Sequence, residues 1–188
     1  MSKIIKRCSW VGVDPLYQHY HDHEWGVPEH DPEKLFAMLI LEGAQAGLSW
    51  ITVLKRRQGY YEVFDGLKPE IIAQYDEEKI AQIITDPRII RHKGKINATV
   101  GNARAYLNLQ QQGILFDEFV WRFVNHQPII NQWSSTTEIP PNTKESDALS
   151  KALKKAGFKF CGSTICYAFM QACGMVNDHA VDCFRFQQ

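Results

Sequence analysis

A carboxylate inside an apolar stretch is the first feature of this sequence that could do chemistry. Glu42 follows Ile40 and Leu41, and the segment after it carries two glycines, at positions 43 and 47, and then Trp50. A buried carboxylate needs hydrogen-bonding partners or a function. Glu42 is therefore a candidate binding or catalytic group, although a solvated helix end beside a core tryptophan would give the same pattern.

Histidines and cysteines at the two ends of the chain form a second candidate group. His179 and Cys183 are four residues apart, so one helical turn would bring both side chains to the same face. This pair supplies half of a tetrahedral zinc site, and Cys8 and His21 are the natural candidates for the other half. Such a site would be structural, because four protein ligands leave no position for a catalytic water. The paired Cys-x-x-Cys signature is absent.

The segments that must position these groups have helical spacing. Asp31 and Pro32 predict the start of a helix through Ile40, and Ser49 predicts the cap of the next one. Further helices are predicted from Asp76 to Ile84, from Ile96 to near Gly113, from Phe116 to Phe123, from Ser146 or Asp147 through Leu153, and from Ser163 or Thr164 to Gly174. Residues 126–141 are predicted to be a loop, and no strand pattern is found. The prediction is an all-α fold, a single compact unit over residues 1–188 that could divide into two helical sub-lobes.

Composition excludes several classes of protein. The 188 residues are 45% hydrophobic and 22% charged, which is ordinary for a soluble globular protein. The net charge of zero gives no global argument for nucleic acid, although a local basic face is compatible with it. No apolar run approaches the roughly 20 residues of a membrane span, and Met1–Arg7 is too polar for a signal peptide. Five cysteines without a disulfide-rich composition predict a reducing, cytoplasmic setting.

A basic segment separates two of the predicted helices. It runs from Arg88 to Lys95 and contains Arg91, Lys93 and Gly94. One interpretation is a solvated turn. The other is a short helix-turn-helix laid on phosphates, where cations and backbone N–H groups position a duplex without reading its sequence.

Sequence blocks along nearly the whole chain resemble the bacterial 3-methyladenine DNA glycosylase I family. The blocks are Asp14-Pro15-Leu16-Tyr17, Tyr20-His21-Asp22, residues 24–28, Leu41-Glu42-Gly43, residues 45–51, 89–92, 94–96, 119–121, 124–128, 146–151, 157–160, 170–174 and 176–179. The resemblance implies a helix-hairpin-helix DNA glycosylase fold and excision of N3-methyladenine from alkylated double-stranded DNA. It also implies one structural zinc ion per chain, which joins the N- and C-terminal segments through Cys8, His21, His179 and Cys183.

The resemblance also implies roles for individual side chains. An enzyme that acts on a base in a duplex must flip that base out of the stack. By resemblance, Glu42 and Tyr20 hydrogen-bond the edge of the flipped base, and Trp50 stacks on its face. Three further aromatic residues are expected to complete the lining of the pocket: Trp10, Tyr17 and Trp25.

The implied reaction needs no strong general acid. N3-methylated adenine is cationic while attached to the sugar and leaves as a neutral base. Aromatic faces and an ionised Glu42 should favour the cation, by roughly 0.5–2 kcal/mol for a cation–π contact. A monofunctional hydrolysis is expected, in which water attacks C1′ and leaves an abasic site with no lyase step. Glu42 is the candidate catalytic group, either as base reader or as a stabiliser of the sugar cation.

The segments expected to contact DNA differ in sequence from those of the wider helix-hairpin-helix superfamily. Many of its members carry a Leu-Pro-Gly-Val-Gly hairpin and a later catalytic aspartate, whereas the hairpin here has only one glycine and Asp117 falls in a different helix. Gly47 and Leu48 are candidates to fill the gap left by the flipped nucleotide, or they form an ordinary interhelical turn. Four hairpin residues are expected to hold phosphates: Arg91, Lys93, Gly94 and Lys95.

Rival interpretations share much of this pattern. One is a non-enzymatic, zinc-stabilised helical module that binds DNA. A second is a glycosylase of the same fold that acts on another lesion, such as a 7-methylpurine. A zinc hydrolase would need an open metal position, which four protein ligands do not leave. The chain is expected to act as a monomer with no obligate protein partner.

Overall fold

Helices make up most of residues 5–186, the part of the chain that the computed structural model describes. They are α1 (Pro15–His23), α2 (Pro32–Gln45), α3 (Trp50–Leu54), α4 (Arg57–Val63), α5 (Pro69–Ile72), α6 (Glu77–Thr85), α7 (Lys93–Gln111), α8 (Phe116–Trp121), α9 (Lys144–Lys155) and α10 (Ser163–Ala172). Residues 1–4 and 187–188 lie outside the described part. Most of Met1–Arg7, the segment predicted to be too polar for a signal peptide, therefore lies outside it as well. Within the described residues, no helix has the length and apolar character needed to cross a membrane.

One small parallel ladder was missed by the sequence analysis. Strands β1 (Ile129–Ile130) and β2 (Val176–Asn177) pair with Ile129 opposite Val176. Each strand has two residues, which is too short to show the alternating pattern that identifies strands. The ladder ties the loop between α8 and α9 to the C-terminal segment. The fold is mostly helical, but the prediction that it contains no strand was wrong.

Helix α2 lies at the centre of the fold and carries Glu42. Pro32 occupies its first position, and the Asp31 carboxylate accepts hydrogen bonds from the N–H groups of Glu33 and Lys34. The helix continues past Glu42 to Gln45 and packs against α3, α7, α8 and α10. Packing on several sides explains why its apolar residues do not form a single stripe.

Some local predictions differ from the structure in detail. Thr143, rather than Ser146 or Asp147, is the N-cap of α9, and it forms a reciprocal capping box with Ser146. Ser49 is the N-cap of α3 as predicted, but its hydroxyl bonds the Thr52 hydroxyl rather than a backbone N–H group. The segment from His179 to Cys183 forms turns and not the predicted helical turn.

Two apolar clusters organise the interior. The larger one surrounds α2, and the smaller one joins the N-terminal segment to the C-terminal segment through Tyr20, Trp25 and Ala180, among others. Met38 and Trp50 pack against both clusters. The surface between the clusters therefore passes beside Glu42, and a cavity is found there.

Candidate active site and candidate metal centre

An aromatic cavity of about 340 Å³ opens between the two clusters. All six residues predicted to contact a base line it: Trp10, Tyr17, Tyr20, Trp25, Glu42 and Trp50. They come from the segment before α1, from α1, from the connection between α1 and α2, from α2 and from the start of α3. Side chains from distant parts of the sequence are thus brought to one concave, largely apolar site with a few polar groups, as is usual for small-molecule pockets.

Glu42 is a buried carboxylate, and one of its oxygens lacks a hydrogen-bond donor in the described part of the chain. Its side chain is 2% exposed, and Oε2 has no partner among residues 5–186. Burial raises the pKa of Glu42 to about 8, because the charged form loses its hydration. The carboxyl group is therefore mostly protonated at neutral pH until a donor or a cation enters the cavity. A buried polar group without a partner lowers the stability of the fold, and such groups are typical of functional sites.

Two aromatic side chains that line the cavity with Glu42, Tyr20 and Trp50, also carry polar atoms. The rings of Tyr20 and Trp50 lie 5.4 Å apart, and the Trp50 Nε1 atom is buried without a hydrogen-bond partner in the described part of the chain. Burial, followed by the nearby Glu42 charge, raises the pKa of Tyr20, which keeps its hydroxyl protonated and able to donate. The three side chains provide a flat ring face, a donor and a carboxyl group.

The rest of the aromatic lining forms a packed chain of rings. Trp10 lies 4.9 Å from Tyr17 and 5.0 Å from Trp25, measured between ring centroids. The His21 ring is 5.3 Å from the ring of Trp10. Trp10, which lines the cavity, therefore packs directly against His21, one of the predicted metal ligands.

Five further cavity residues escaped the sequence analysis: Gln45, Thr136, Ile139, Ala168 and Gln171. Gln45 is three residues after Glu42 in α2, so helical spacing alone would have placed it on the same side. Thr136 and Ile139 come from the predicted loop between α8 and α9, and nothing in their local sequence indicates a pocket. Long-range packing brings them there.

A second cavity, of about 260 Å³, shares Tyr20, Glu42 and Trp50 with the aromatic cavity. Its lining includes a two-point ion pair between Arg57 and Glu24. Glu42 therefore separates two hollow regions. Only the aromatic cavity contains all six predicted base contacts.

The four predicted metal ligands come together in the structure. Cys8, His21, His179 and Cys183 are all buried, and their ligand atoms lie within 4.8 Å of one another. The Cys183 Sγ atom is 3.5 Å from His21 Nε2 and 3.7 Å from His179 Nδ1, and Cys8 Sγ is also 3.7 Å from His179 Nδ1. A tetrahedral zinc ion with ordinary Zn–S and Zn–N bonds would separate sulfur and nitrogen ligands by about 3.6 Å. The donor set and its spacing fit zinc.

The outer nitrogen of each histidine has a hydrogen-bonding partner that fixes the ring. His21 Nδ1 lies 2.8 Å from Asp22 Oδ1, and Arg7 holds that carboxylate with three hydrogen bonds. His179 Nε2 lies 3.3 Å from the carbonyl oxygen of Trp25. The nitrogens that face the thiols are therefore left as acceptors, which is the arrangement that metal-binding histidines use.

The candidate DNA contacts lie on two exposed segments. Gly47 has a φ of +79°, and a Cβ atom added there would meet no atom within 4 Å, while Leu48 is 43% exposed. Residues 86–92 connect α6 to α7, and Lys93 and Gly94 begin α7. The His92 ring, which caps α7 through Lys95 N–H, lies so close to Gly94 that a Cβ there would be 3.0 Å from it.

Two of the basic side chains in this hairpin have other partners. Arg88 pairs with Asp86 and Glu62. The Lys95 ammonium donates hydrogen bonds to carbonyl groups of the main chain. Arg91 and Lys93 are exposed. Direct contact of Lys95 with a phosphate, as predicted from the sequence, remains a prediction.

Comparison with known proteins agrees with this geometry. Residues 10–186 match the family model of the methyladenine glycosylases. The chain is 60% identical over 179 residues to DNA-3-methyladenine glycosylase 1 of Escherichia coli K12, covering 95% of this chain and 96% of that protein. A crystal structure of a 3-methyladenine DNA glycosylase I is 57% identical, with a TM-score of 0.95 over 96% of this chain and 99% of the other. A variant of such an enzyme in complex with 3-methyladenine is 37% identical, with a TM-score of 0.91 over 95% and 96% of the two chains. This chain belongs to the methyladenine glycosylase family.

Proposed function

We propose that this protein is a DNA repair glycosylase that flips N3-methyladenine out of alkylated duplex DNA and hydrolyses its glycosidic bond. The observation that carries the proposal is the buried carboxyl group of Glu42, whose Oε2 atom has no donor within residues 5–186, beside the Tyr20 hydroxyl and the Trp50 ring in the aromatic cavity. A relative bound to 3-methyladenine and the family membership support the same substrate.

The electrostatics of the cavity select a cationic base. Glu42 is mostly protonated in the free protein, and a methylated adenine that brings a positive charge would favour its ionised form. Trp50 and the other ring faces add cation–π attraction. Unmodified adenine is neutral and gains neither contribution. Tyr20 and Glu42 would then hydrogen-bond the edge of the base.

The hydrolysis follows from the charge on the lesion. The cationic purine leaves with the bonding electrons as a neutral base, and a water molecule adds to C1′ of the oxocarbenium-like sugar and loses a proton. The ionised Glu42 stabilises this cationic transition state and holds the leaving base. The product is an abasic site, and we propose a monofunctional reaction without strand cleavage.

The Cys8, His21, His179 and Cys183 cluster would hold one structural zinc ion. Four protein ligands fill the tetrahedral shell, so the metal would supply stability and not a reactive water. Its place beside Trp10 and Trp25 would fix the aromatic wall and join the two ends of the chain.

We place DNA binding on the hairpin between α6 and α7 and on the turn between α2 and α3. Arg91, Lys93 and Gly94 would contact phosphates, in the manner of a helix-hairpin-helix motif, and Gly47 and Leu48 would enter the gap left by the flipped nucleotide. We propose that the chain acts as a monomer and as a single unit. Its cytoplasmic location remains a prediction from the cysteine content.

Base release from dimethyl-sulfate-treated duplex DNA tests the proposed function. Free purines are separated by chromatography after incubation with the wild-type protein, Glu42→Ala, and the control Glu33→Ala, which removes an exposed carboxylate from the first turn of the same helix. We expect selective release of 3-methyladenine by the wild type and the control, and its loss in Glu42→Ala.

Other outcomes of this assay identify the rivals. No release above the spontaneous background by a folded, zinc-loaded protein would favour a DNA-binding module. Equal release of 7-methylguanine would contradict the narrow substrate choice. Release by Glu42→Ala at the wild-type rate would remove Glu42 from the site.

A further inference from the structure

Main-chain carbonyl groups from a distant part of the chain hold the ammonium group of Lys95. Its Nζ atom donates hydrogen bonds to the carbonyl oxygens of Ala44, at 2.8 Å, and Ala46, at 2.6 Å. These carbonyls belong to the end of α2, where helical carbonyls lack partners within the helix and positive charge is favourable. The last turn of α2 contains no basic residue. Lys95 supplies that charge from the first turn of α7.

These hydrogen bonds fix the base of the turn between α2 and α3. The tip of the turn, formed by Gly47 and Leu48, is exposed. Glu42 lies just before the turn and Trp50 just after it. The carbonyl groups bonded to Lys95 therefore determine the position of Gly47 and Leu48 relative to the aromatic cavity.

The backbone of Lys95 belongs to the hairpin proposed to bind phosphates. Its N–H group donates to His92 Nδ1 at 3.1 Å, which caps the start of α7, and Lys93 and Gly94 lie in the same helical turn. One residue thus connects the hairpin with the exposed turn. Partial burial lowers the pKa of Lys95, and the two carbonyl acceptors are suited to its charged form.

We propose that Lys95 is a positioning residue that fixes the position of the Gly47–Leu48 turn relative to the hairpin. When the hairpin binds the DNA backbone, the turn then lies against the duplex. This inference rests on the proposed glycosylase function. It assigns Lys95 an action through the turn and not a direct contact with phosphate. Misplacing a group by about 1 Å can slow a reaction about 100-fold, so this link should be visible in the rate.

Three variants test the inference. Lys95→Met keeps much of the apolar stem but removes the donors, Lys95→Arg keeps the charge and several donors, and Lys151→Met is a control at an exposed lysine of α9. The measurements are the single-turnover rate of 3-methyladenine release from duplex DNA at saturating protein, and the affinity for free 3-methyladenine from tryptophan fluorescence. The wild-type reaction in the same series tests the proposed function separately.

We expect Lys95→Met to lower the saturated rate about 10-fold or more, with unchanged affinity for the free base, because the cavity is intact while the turn is misplaced. Lys95→Arg should restore most of the rate, and Lys151→Met should match the wild type. If Lys95→Met released 3-methyladenine at the wild-type rate at saturating protein and only bound DNA more weakly, the inference would be overturned in favour of a phosphate contact. An equal loss of rate and free-base affinity would overturn it in favour of a general structural role.

Discussion

Asp178 and Glu42 are both buried carboxylates, but their surroundings differ completely. Asp178 is 0% exposed and Glu42 is 2% exposed. Asp178 accepts four hydrogen bonds, at 2.6–2.8 Å, from the side chains of Asn131, Trp133, Tyr167 and Gln171. Glu42 Oε2 accepts none within residues 5–186. Equal burial therefore says little about role, whereas the supply of donors separates a structural carboxylate from one kept for a ligand.

The two regions are nevertheless connected. Asp178 precedes the candidate metal ligand His179, and Gln171 both donates to Asp178 and lines the aromatic cavity. The satisfied network thus holds one wall of the site, and the unsatisfied carboxyl group lies inside it. We expect the protein to tolerate changes at Glu42 and to be damaged by changes in the network behind it.

The largest effect is expected from the metal cluster next to the Asp178 network. Cys183→Ala should abolish stoichiometric zinc binding and lower the free energy of unfolding by on the order of 5 kcal/mol, because metal binding and folding are coupled. Elemental analysis after dialysis and urea unfolding measure the two quantities. Cys166→Ala, at a core thiol outside the cluster, is the control and should keep its zinc. Retained zinc in Cys183→Ala would mean that the ligand set is wrong.

Asp178→Asn should produce the next largest loss. An amide would turn N–H groups toward side chains that already donate, and it would remove the charge that strengthens their hydrogen bonds. We expect a loss of about 3–4 kcal/mol in urea unfolding. Asp182→Asn, in the same segment but partly exposed, should change little. If Asp178→Asn were as stable as the wild type, the distinction between the two carboxylates would fail.

Glu42→Gln should raise the free energy of unfolding, whereas Asp178→Asn lowers it. Since burial raises the folded-state pKa from 4.5 to about 8, the folded protein keeps a proton that the unfolded chain releases. The wild-type free energy of unfolding therefore falls as pH rises from about 4.5 to 8. A glutamine avoids this loss, so the stability gain of the variant over the wild type should grow from a small value at pH 4.5 to roughly 4 kcal/mol at pH 8. A stability difference independent of pH would contradict the raised pKa.

The same pKa should appear in the kinetics. The wild-type kcat/KM on methylated duplex DNA should rise about tenfold per pH unit below about 8 and then level off, because it reports the free enzyme. The pKa seen in kcat should be lower, since the bound cationic base favours the ionised carboxylate. Glu42→Gln should give low and nearly flat profiles. Equal pKa values in the two wild-type profiles would mean that the base brings no cation close to Glu42.

Local signals in the sequence predicted the centre of the site well. Asp31, Pro32 and the apolar spacing after them predicted α2. The apolar run that ends in Glu42 left a buried carboxylate and a solvated helix end as alternatives, and the structure shows the buried one. For the metal ligands, spacing suggested only the pair His179 and Cys183, and the full set of four was implied by the family resemblance; the structure brings all four together. For α2 the decisive information lies within one or two turns of the chain, whereas the metal ligands come from both ends of the sequence.

The rest of the site depends on contacts between distant segments. The loop that carries Thr136 and Ile139 is held by long-range contacts, which include the two-residue ladder and the hydrogen bonds to Asp178. Neither of these contacts has a signature in the local sequence. The hydrogen bonds of Lys95 join residues about 50 positions apart, so an exposed phosphate contact was the natural prediction from its basic neighbours. The donors around a carboxylate, which distinguish Asp178 from Glu42, are equally invisible in the sequence.

The smallest effect is expected from a change that touches neither carboxylate. Lys93→Ala removes an exposed charge at the start of α7 and should weaken binding to every duplex a few-fold at low salt, reducing the slope of log K against log salt by about 1. Fluorescence anisotropy over a salt series measures this slope with methylated and unmethylated duplexes, and Lys151→Ala serves as the control. Because phosphate contacts carry no sequence information, the loss should be the same for all duplexes. A loss confined to one base composition, or an unchanged slope, would place the backbone contact elsewhere on the protein.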